Sequence, residues 1–305
     1  MTVLSADFST GQPIKLAAMD GYPLAATLYP AKSCLLGNLI VAGATGVQQR
    51  FYRRFAEYAS RRGFSVLTLD YRGIGGSKPD SLKSFKMSYQ DWGSLDLTAA
   101  VEYVDDGITP LYWIGHSFGS QALGLIPNHH KVTAAYCFGV GAGWIGWMPR
   151  LEAIKVRLLW SLIMPLIVSC KGYMAWSLLG MGDDLPLGVY RDWRRWCAYP
   201  HHLFDDPKMT AVAKNYAQVR IPCIFANAID DRWAPPASRD AFIKGYSNAP
   251  LMVRNLSLDK AKGSIGHMGY FRESFSTFWD EALEWFAVQS PSEQPSPCRQ
   301  AGASR

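Results

Sequence analysis

The chain has 305 residues, enough for one large α/β domain or two smaller ones. Hydrophobic residues make up 49% and charged residues 18%, an ordinary globular balance with ample material for a core. The net charge of +6 is only mildly basic and no run of lysine and arginine reaches five residues. We therefore expect a solvated surface and no nucleic-acid partner.

The chain opens with a predicted β-hairpin, in which residues 14–18 and 24–29 flank the turn signal Asp20-Gly21. Further apolar runs predict strands at 38–42, 64–69, 111–114, 132–138, 223–228 and 251–256. Stretches with helical periodicity predict helices at 51–62, 88–104 and 274–288. Apolar strands that alternate with helices are typical of a mostly parallel sheet covered on both faces, so the predicted fold class is α/β.

One segment, residues 144–215, interrupts this alternation. It is rich in tryptophan, has helical periodicity and contains no convincing strand. We interpret it as a helical cap inserted between two parts of one α/β core, residues 1–143 and 216–288. A tail rich in serine, proline and glutamine, residues 289–305, is predicted to be disordered.

The cysteine and hydropathy patterns indicate whether to expect a metal site, an oxidising or reducing cellular compartment, and a membrane anchor. The six cysteines form neither a CxxC pair nor a cluster with zinc-ligand spacing, so we expect no metal site and a reducing cytoplasm. Residues 1–12 lack the charged start and apolar core of a signal peptide. The longest apolar stretch, residues 158–169, has about 12 residues where a membrane span needs roughly 20. We expect a buried or interfacial helix there and not an anchor.

The strongest chemical signal is Gly115-His116-Ser117-Phe118-Gly119, which matches the G-x-S-x-G pattern of a nucleophile elbow. It follows the predicted strand at 111–114 and precedes a helical stretch at 120–126. The motif needs this context, because a sharp turn between strand and helix exposes the serine hydroxyl, and side chains in place of the glycines would collide with neighbouring backbone. An ordinary Gly/Ser loop is the alternative. We predict Ser117 as a nucleophile.

A serine nucleophile needs a general base and an acid that orients it, in the order Ser, Asp/Glu, His behind such an elbow. Among the six histidines only His267 follows the last predicted strand, and we predict it as the base. The acid should follow the penultimate strand, where Asp230 and Asp231 are adjacent. Neighbouring side chains point in different directions, so one can reach the imidazole while the other caps the helix near Pro236. The spacing to the prolines favours Asp231.

Together these motifs resemble the α/β-hydrolase superfamily. GHSFG, DYRGIGGS, DDRWAPP and GHMGYFRE are most similar to its serine aminopeptidase and monoacylglycerol-lipase-like branch of predicted hydrolases. The resemblance covers residues 15–288 and implies an α/β-hydrolase fold. In that family the acid lies four residues before a proline, and Asp231 has this relation to Pro235 whereas Asp230 does not.

The resemblance also implies an oxyanion hole made of two backbone N–H groups, those of Phe118 and Ala44. Such donors contribute about 3 kcal/mol each to the rate when they face the developing oxyanion in a dry site. Many relatives have His-Gly in the first of these loops, where this chain has Ala42-Gly43. Because the donor is a backbone N–H group, Ala42 in place of histidine does not remove it. The side-chain contacts that support the loop are then expected to differ.

The expected function is hydrolysis of a hydrophobic carboxylic ester through an acyl-enzyme on Ser117, without a metal or organic cofactor. The tryptophan- and leucine-rich cap favours a small hydrophobic acyl substrate. Three alternatives stay open: an acyltransferase or a peptidase that uses the same residues, and a non-catalytic ligand-binding protein of this fold. The oligomeric state is also open, with a homodimer among the options.

Two shorter patterns are interpreted as coincidence. Residues 141–146 fit GxGxxG, but the acidic residue that a dinucleotide site needs about 20 positions later is missing. We expect a flexible entrance to the cap there. His201 and Asp206 have the HxxxxD spacing of some acyltransferases without any accompanying motif.

Overall fold

The structure, a computed structural model, describes residues 11–257 and 263–289. Apart from Gln289, the tail predicted to be disordered therefore lies outside the described residues. The strands are Gln12–Ala17 (β1), Pro23–Tyr29 (β2), Gly37–Ala42 (β3), Phe64–Leu69 (β4), Leu111–His116 (β5), Ala134–Phe138 (β6), Cys223–Ala228 (β7) and Leu251–Leu256 (β8). The α-helices are Arg53–Arg61 (α1), Thr98–Val104 (α2), Phe118–Gln121 (α3), Arg150–Leu158 (α4), Met164–Lys171 (α5), Leu187–Trp196 (α6), Thr210–Tyr216 (α7), Pro236–Phe242 (α8) and Ser276–Val288 (α9).

All eight predicted strands join one sheet in the order β1-β2-β4-β3-β5-β6-β7-β8. The pair β1–β2 is antiparallel, with Lys15 opposite Ala25, which confirms the predicted hairpin. The pair β2–β4 is also antiparallel, and every later pair is parallel. The predicted α/β class with a mostly parallel sheet is therefore confirmed.

The sheet is covered on both faces, and β5 at its centre shows why. Successive side chains of a strand point to opposite faces. Leu111 and Trp113 accordingly pack into one hydrophobic cluster, and Tyr112 and Ile114 into the other. All six residues of β5 are buried. The strand therefore reads as a continuous apolar run and carries its last residues into the middle of the molecule.

Between β6 and β7 the chain forms α4 to α7 and no strand, only a single bridge between Met174 and Leu185. We refer to residues 144–215 as the helical segment. Within it a wider-turned stretch, Leu159–Ile163, joins α4 and α5 into one continuous helix of 22 residues, Arg150–Lys171. The helix is much longer than the apolar stretch at 158–169 on which the sequence expectation was based.

The joined helix is also more exposed than expected. Its most apolar window has a mean hydropathy of 1.7, and only 17% of that window is buried. By length and composition it is the one helix among the described residues that could cross a membrane. Core helices of soluble proteins pass the same test, so this property does not by itself indicate a membrane protein. Of the two predicted alternatives, a buried helix does not fit most of its length, and an interfacial helix stays a prediction.

Large apolar side chains recur every three or four residues along one face of this helix, and each is 50–77% exposed. This spacing places them in a single row along the helix. We call this row the exposed stripe. Its members are Leu151, Ile154, Leu158, Leu162 and Leu166.

Candidate active site

The turn between β5 and α3 has the geometry of a nucleophile elbow. Ser117 has φ 51° and ψ −110°, a conformation that side chains other than glycine rarely adopt. Hydrogen bonds on both sides hold it. The Ser117 amide donates to the Phe138 carbonyl at 2.9 Å, and the Ser120 amide donates to the Ser117 carbonyl at 3.0 Å. Strain of this kind is characteristic of functional sites.

The two glycines of the motif are required by close contacts. A Cβ atom at Gly115 would lie 2.6 Å from the Cα of Ser120. A Cβ atom at Gly119 would lie 1.9 Å from the carbonyl oxygen of Ala42 at the end of β3. Both obstacles are backbone atoms, which cannot rotate away. The glycines therefore allow α3 to pack directly against β3 and β5.

The structure brings together the three side chains predicted for the chemistry. The Nε2 atom of His267 lies 2.9 Å from Ser117 Oγ, and its Nδ1 atom lies 2.8 Å from Asp231 Oδ2. Ser117 follows β5, Asp231 follows β7 and His267 follows β8 along the chain. The carboxyl ends of parallel strands meet at one edge of a sheet, so residues far apart in sequence converge there.

Asp231 is buried but has four hydrogen-bond donors. Besides His267, the Tyr270 hydroxyl donates to Oδ2 at 2.9 Å. The amides of Trp233 and Ala234 donate to Oδ1 at 3.0 and 2.9 Å. Burial raises the pKa of Asp231, but the charge of His267 and these donors lower it more, so the pKa lies below its usual value. The carboxylate is therefore ionised at neutral pH.

Asp230 has a different role from the one considered for it in the sequence. It accepts hydrogen bonds from Ser264 Oγ at 2.6 Å and from the Gly266 amide at 3.1 Å. Helix α8 starts after Pro235 without a side-chain cap. Asp230 therefore does not cap this helix but anchors the loop that carries His267.

Two opposing effects act on the pKa of His267. Burial lowers it, whereas the charge of Asp231 and the hydrogen bond to Asp231 raise it. The net result is a pKa above the ordinary histidine value of 6.5. An imidazole that is more basic than usual is a stronger acceptor for the Ser117 proton, provided that it is neutral when the substrate arrives.

Sequence reasoning missed a buried chain of hydrogen bonds behind Ser117. His116 Nε2 lies 2.8 Å from the carbonyl oxygen of His267, and His116 Nδ1 lies 2.9 Å from the Tyr52 hydroxyl. Burial lowers the pKa of His116 to about 3, so the ring is neutral. With Nε2–H donating to the carbonyl, Nδ1 accepts from Tyr52. No local pattern links these residues, because the contacts depend on how the loops fold together.

The same chain of hydrogen bonds engages the Ala44 amide, which the resemblance predicts as an oxyanion donor. The Ala44 amide donates to the Tyr52 hydroxyl oxygen at 2.7 Å. One N–H group has a single hydrogen, so in this arrangement the Ala44 amide is not free to donate to a substrate oxygen beside Ser117. The neighbouring Thr45 amide and the Phe118 amide have no acceptor among the residues that the structure describes. Phe118 is the first residue of α3, where helix geometry leaves the N–H unpaired.

A cavity of about 750 Å³ opens beside the Ser117 hydroxyl. Phe51, Trp176, Trp193, Trp233 and Met268 form much of its wall. Arg50, Ser177 and residues 180–182 are exposed and lie at its rim. The size and the largely apolar wall are typical of a small-molecule site.

The structure also places the two patterns interpreted as coincidence, GxGxxG at residues 141–146 and the HxxxxD pair. Gly141 and Gly143 line the cavity wall beside Ser117. His201 pairs with Asp205, and Asp206 instead pairs with Arg195 at 2.6 Å. No group of three or more metal-ligating side chains occurs within residues 11–257 and 263–289.

The chain was compared with known protein families, curated sequences and solved structures. Residues 39–255 match the Alpha/beta hydrolase family. No curated protein sequence matches the chain. Solved structures share the fold at low sequence identity. A soluble variant of monoglyceride lipase from Saccharomyces cerevisiae, in complex with a substrate analogue, has a TM-score of 0.65 and 15% identity over 96% of this chain and 100% of that chain.

Two esterases are similar in the same way. The esterase from Exiguobacterium antarcticum has a TM-score of 0.60 and 13% identity over 90% of this chain and 99% of its own. The Pyrococcus furiosus esterase Pf2001 has a TM-score of 0.58 and 14% identity over 92% of this chain and 91% of its own. The family match covers more than half of the chain and agrees with the sheet order and the elbow. The protein belongs to the alpha/beta hydrolase family.

Proposed function

We propose that the protein is a serine hydrolase that cleaves hydrophobic carboxylic esters. The observation that supports this most directly is the hydrogen-bonded series Ser117–His267–Asp231, with separations of 2.9 and 2.8 Å, behind a strained elbow. A nucleophile in contact with a base, and a base in contact with an orienting acid, is the arrangement that acyl transfer requires.

The first half of the reaction forms an acyl-enzyme. Ser117 Oγ attacks the carbonyl carbon of the ester while His267 Nε2 takes its proton. The Asp231 carboxylate accepts the hydrogen bond from Nδ1–H and stabilises the imidazolium that forms. His267 then donates the proton to the departing alcohol oxygen. In the second half, water attacks the acyl-enzyme with His267 again as base, and Ser117 recovers its proton.

The negative charge on the carbonyl oxygen needs donors at the elbow. We assign one to the Phe118 amide, which stands at the start of α3 and has no acceptor in the described part of the chain. The second comes from the loop after β3, where the Thr45 amide lacks an acceptor while the Ala44 amide is already bound to Tyr52. Each donor contributes about 3 kcal/mol to transition-state stabilisation.

The cavity supports the proposed substrate class. Its aromatic wall favours an apolar acyl or alcohol group, and its volume of about 750 Å³ suits a small or medium-sized ester. Structural neighbours include a monoglyceride lipase and two esterases, which agrees with ester hydrolysis.

Labelling with a fluorophosphonate probe tests this proposal. We expect wild-type protein to be labelled on Ser117, and Ser117→Ala and His267→Ala to lose labelling and p-nitrophenyl butyrate hydrolysis. Ser120→Ala is the matched serine control, because this hydroxyl is buried and donates to the Phe138 carbonyl. His130→Ala is the matched histidine control at an exposed position. Labelling that survives Ser117→Ala, or is lost equally in Ser120→Ala, would overturn the proposal.

A further inference from the structure

The exposed stripe is a surface feature that the proposed chemistry does not use. Its five leucine and isoleucine side chains are each at least half exposed, and they follow one another along the helix at residues 150–171. Single exposed apolar residues are normal on proteins, whereas a contiguous apolar surface marks a site of interaction. The residues around the stripe indicate what it binds.

The opposite face of the same helix is packed into the protein. Val156, Trp160 and Met164 are buried members of the hydrophobic core. The rings of Trp160 and Trp193 are 5.1 Å apart between centroids, and Trp193 lines the cavity beside Ser117. A crossing of a bilayer would require these side chains to leave the core. The helix therefore lies along the protein surface with one apolar face outward.

The helix also concentrates positive charge. The basic residues are Arg150, Lys155, Arg157 and Lys171. All four are exposed, whereas the side chain of Glu152, the acidic residue of the helix, is only 15% exposed. Four positive charges and one negative charge give +3, so these 22 residues carry half of the net charge of +6 of the chain. A partner that covers the stripe therefore meets a positive surface.

The positions of the charges indicate how the helix can meet an apolar phase. The stretch between Arg157 and Lys171 has no charged residue. It is about 20 Å long at 1.5 Å per helical residue. The hydrocarbon core of a bilayer is about 30 Å thick, so this stretch is too short to cross it. An apolar face flanked by lysine and arginine is typical of a helix that lies in the headgroup region of a membrane.

We propose that the exposed stripe docks on the surface of an anionic lipid bilayer, with the helix at residues 150–171 parallel to the membrane plane. The apolar side chains enter the boundary between headgroups and acyl chains, and the basic side chains contact the anionic headgroups. A second copy of the chain is a poorer partner, because it would bring two helices of charge +3 together. The inference goes beyond the proposed function, since it concerns where the protein binds and not which bond it cleaves.

Sedimentation with lipid vesicles tests the partner. Wild-type protein is mixed with vesicles of phosphatidylcholine alone, or of phosphatidylcholine and phosphatidylserine in equal parts. Each basic side chain near an anionic surface contributes about fivefold to the partition constant. We therefore expect binding to the mixed vesicles to exceed binding to phosphatidylcholine about tenfold or more, and to weaken as salt is raised. No binding to mixed vesicles, or equal binding to both kinds, overturns the proposal.

Two double variants test the apolar and the charged contribution separately. Leu158→Gln with Leu162→Gln removes the centre of the stripe. Arg150→Gln with Arg157→Gln removes two of the basic side chains. Each double variant should lower the partition constant for mixed vesicles on the order of tenfold. All four side chains are exposed, so both variants should melt near the wild-type temperature. Wild-type binding by the folded stripe variant contradicts the proposal.

Matched controls lie outside the helical segment. Ile108 and Val288 are exposed apolar side chains, and Arg61 and Arg220 are exposed basic ones. Double glutamine variants at these two pairs of positions remove the same kinds of side chain from other surfaces. They should bind mixed vesicles within about threefold of wild type, because distant charges are screened. Losses as large as those on the helix would mean that the whole surface binds non-specifically, which overturns the assignment.

Cys170 reports which face meets the membrane. It is exposed, whereas the other free cysteines in the described part of the chain are buried. It follows Leu166 by four residues and so continues the stripe. A polarity-sensitive dye on Cys170 should shift its emission to shorter wavelength when mixed vesicles are added, and Cys170→Ser should take up little dye. Sedimentation without this shift would mean that another face binds the membrane.

Two further measurements test the other occupants of the stripe. Light scattering without vesicles should give wild type and Leu158→Gln with Leu162→Gln the same size. A dimer that this double variant dissociates would assign the stripe to a second copy of the chain. Alkaline carbonate should release the protein from vesicles, and protein that stays would span the bilayer instead. Fluorophosphonate labelling reports on Ser117 alone, so failure of lipid docking leaves the proposed function intact.

Discussion

Around Ser117 the Asp231 carboxylate has four donors, whereas in the helical segment the buried His202 ring has no partner among the described residues. The first site stands at the ends of packed strands. The second lies in the short turn His202–Asp205 between α6 and α7. Satisfied polar groups on a rigid scaffold give precise geometry, which bond-making chemistry needs.

The two regions also differ in what holds them. The strands at the centre of the sheet are fully buried, so a change there displaces backbone. The side chains of the exposed stripe on residues 150–171 are half or more exposed, so changing them need not displace backbone. If this contrast is correct, substitutions near the elbow should act strongly on activity or folding, and substitutions on the stripe should act weakly on both.

The largest effect is expected for Asp231→Asn, which removes the charge that holds the His267 tautomer. We expect kcat/KM for p-nitrophenyl butyrate to fall on the order of 10⁴-fold. Asp230→Asn is the matched control. Its amide oxygen can still accept from the Gly266 amide, and its NH₂ group can donate to the Ser264 hydroxyl oxygen, so a loss below about tenfold is expected. Equal losses in the two variants would show that the wrong carboxylate has been assigned.

A large effect on folding is expected for Gly119→Ala. The new Cβ would lie 1.9 Å from the Ala42 carbonyl oxygen, so the elbow must open or the sheet must shift. Urea denaturation should show a loss of about 3 kcal/mol or more in the free energy of unfolding. In the helical segment Gly180→Ala meets no atom within 4 Å, and only its φ of +65° opposes the change. This control should lose about 1–2 kcal/mol.

A smaller effect concerns the pH dependence. A protonated imidazole cannot accept the Ser117 proton, so kcat/KM should fall as pH drops through the pKa of His267. That pKa lies above the ordinary value of 6.5, so the acid limb of the profile should have its midpoint above 6.5. His116, with a pKa of about 3, should not contribute to this limb. A midpoint below 6.5 would mean that burial outweighs the charge of Asp231.

The smallest effect is expected on the exposed stripe. Leu162 is 52% exposed, so Leu162→Ala should change the free energy of unfolding by less than about 0.5 kcal/mol. Leu123, behind the elbow, is fully buried, and Leu123→Ala should cost about 2–5 kcal/mol because it leaves a cavity. Denaturation curves of the two variants compare them directly. Similar losses in the free energy of unfolding would show that packing at the exposed stripe stabilises the fold as much as packing behind the elbow does.

Much of the sheet could be predicted because its signals are local. Each strand is an apolar run bounded by turn residues, and the G-x-S-x-G motif lies between a strand and a helix. His267 and Asp231 were predicted from their order in the chain, from the spacing to Pro235 and from the family resemblance, and the structure brings both close to Ser117. The assumption behind both predictions is that parallel strands bring their carboxyl ends together, and the observed topology has this property.

What the sequence did not reveal depends on contacts between distant segments. The bond between Gly266 and Asp230 joins residues 36 positions apart, and nothing nearby indicates it. The helix at 150–171 begins with charged residues, including Glu152 and Lys155, so a search for apolar runs finds only its second half. His202 carries no local signal. Its burial and its positive φ arise from packing that composition does not encode.

The hydrogen bonds from the Ala44 amide through Tyr52 and His116 to the His267 carbonyl have a mechanical consequence. They tie the loop after β3 to the loop before α9 through the residue that precedes the nucleophile. A ligand that pushes one loop outward must therefore stretch or break a hydrogen bond that holds the other loop. The shape of a bound ligand can in this way change the position of His267.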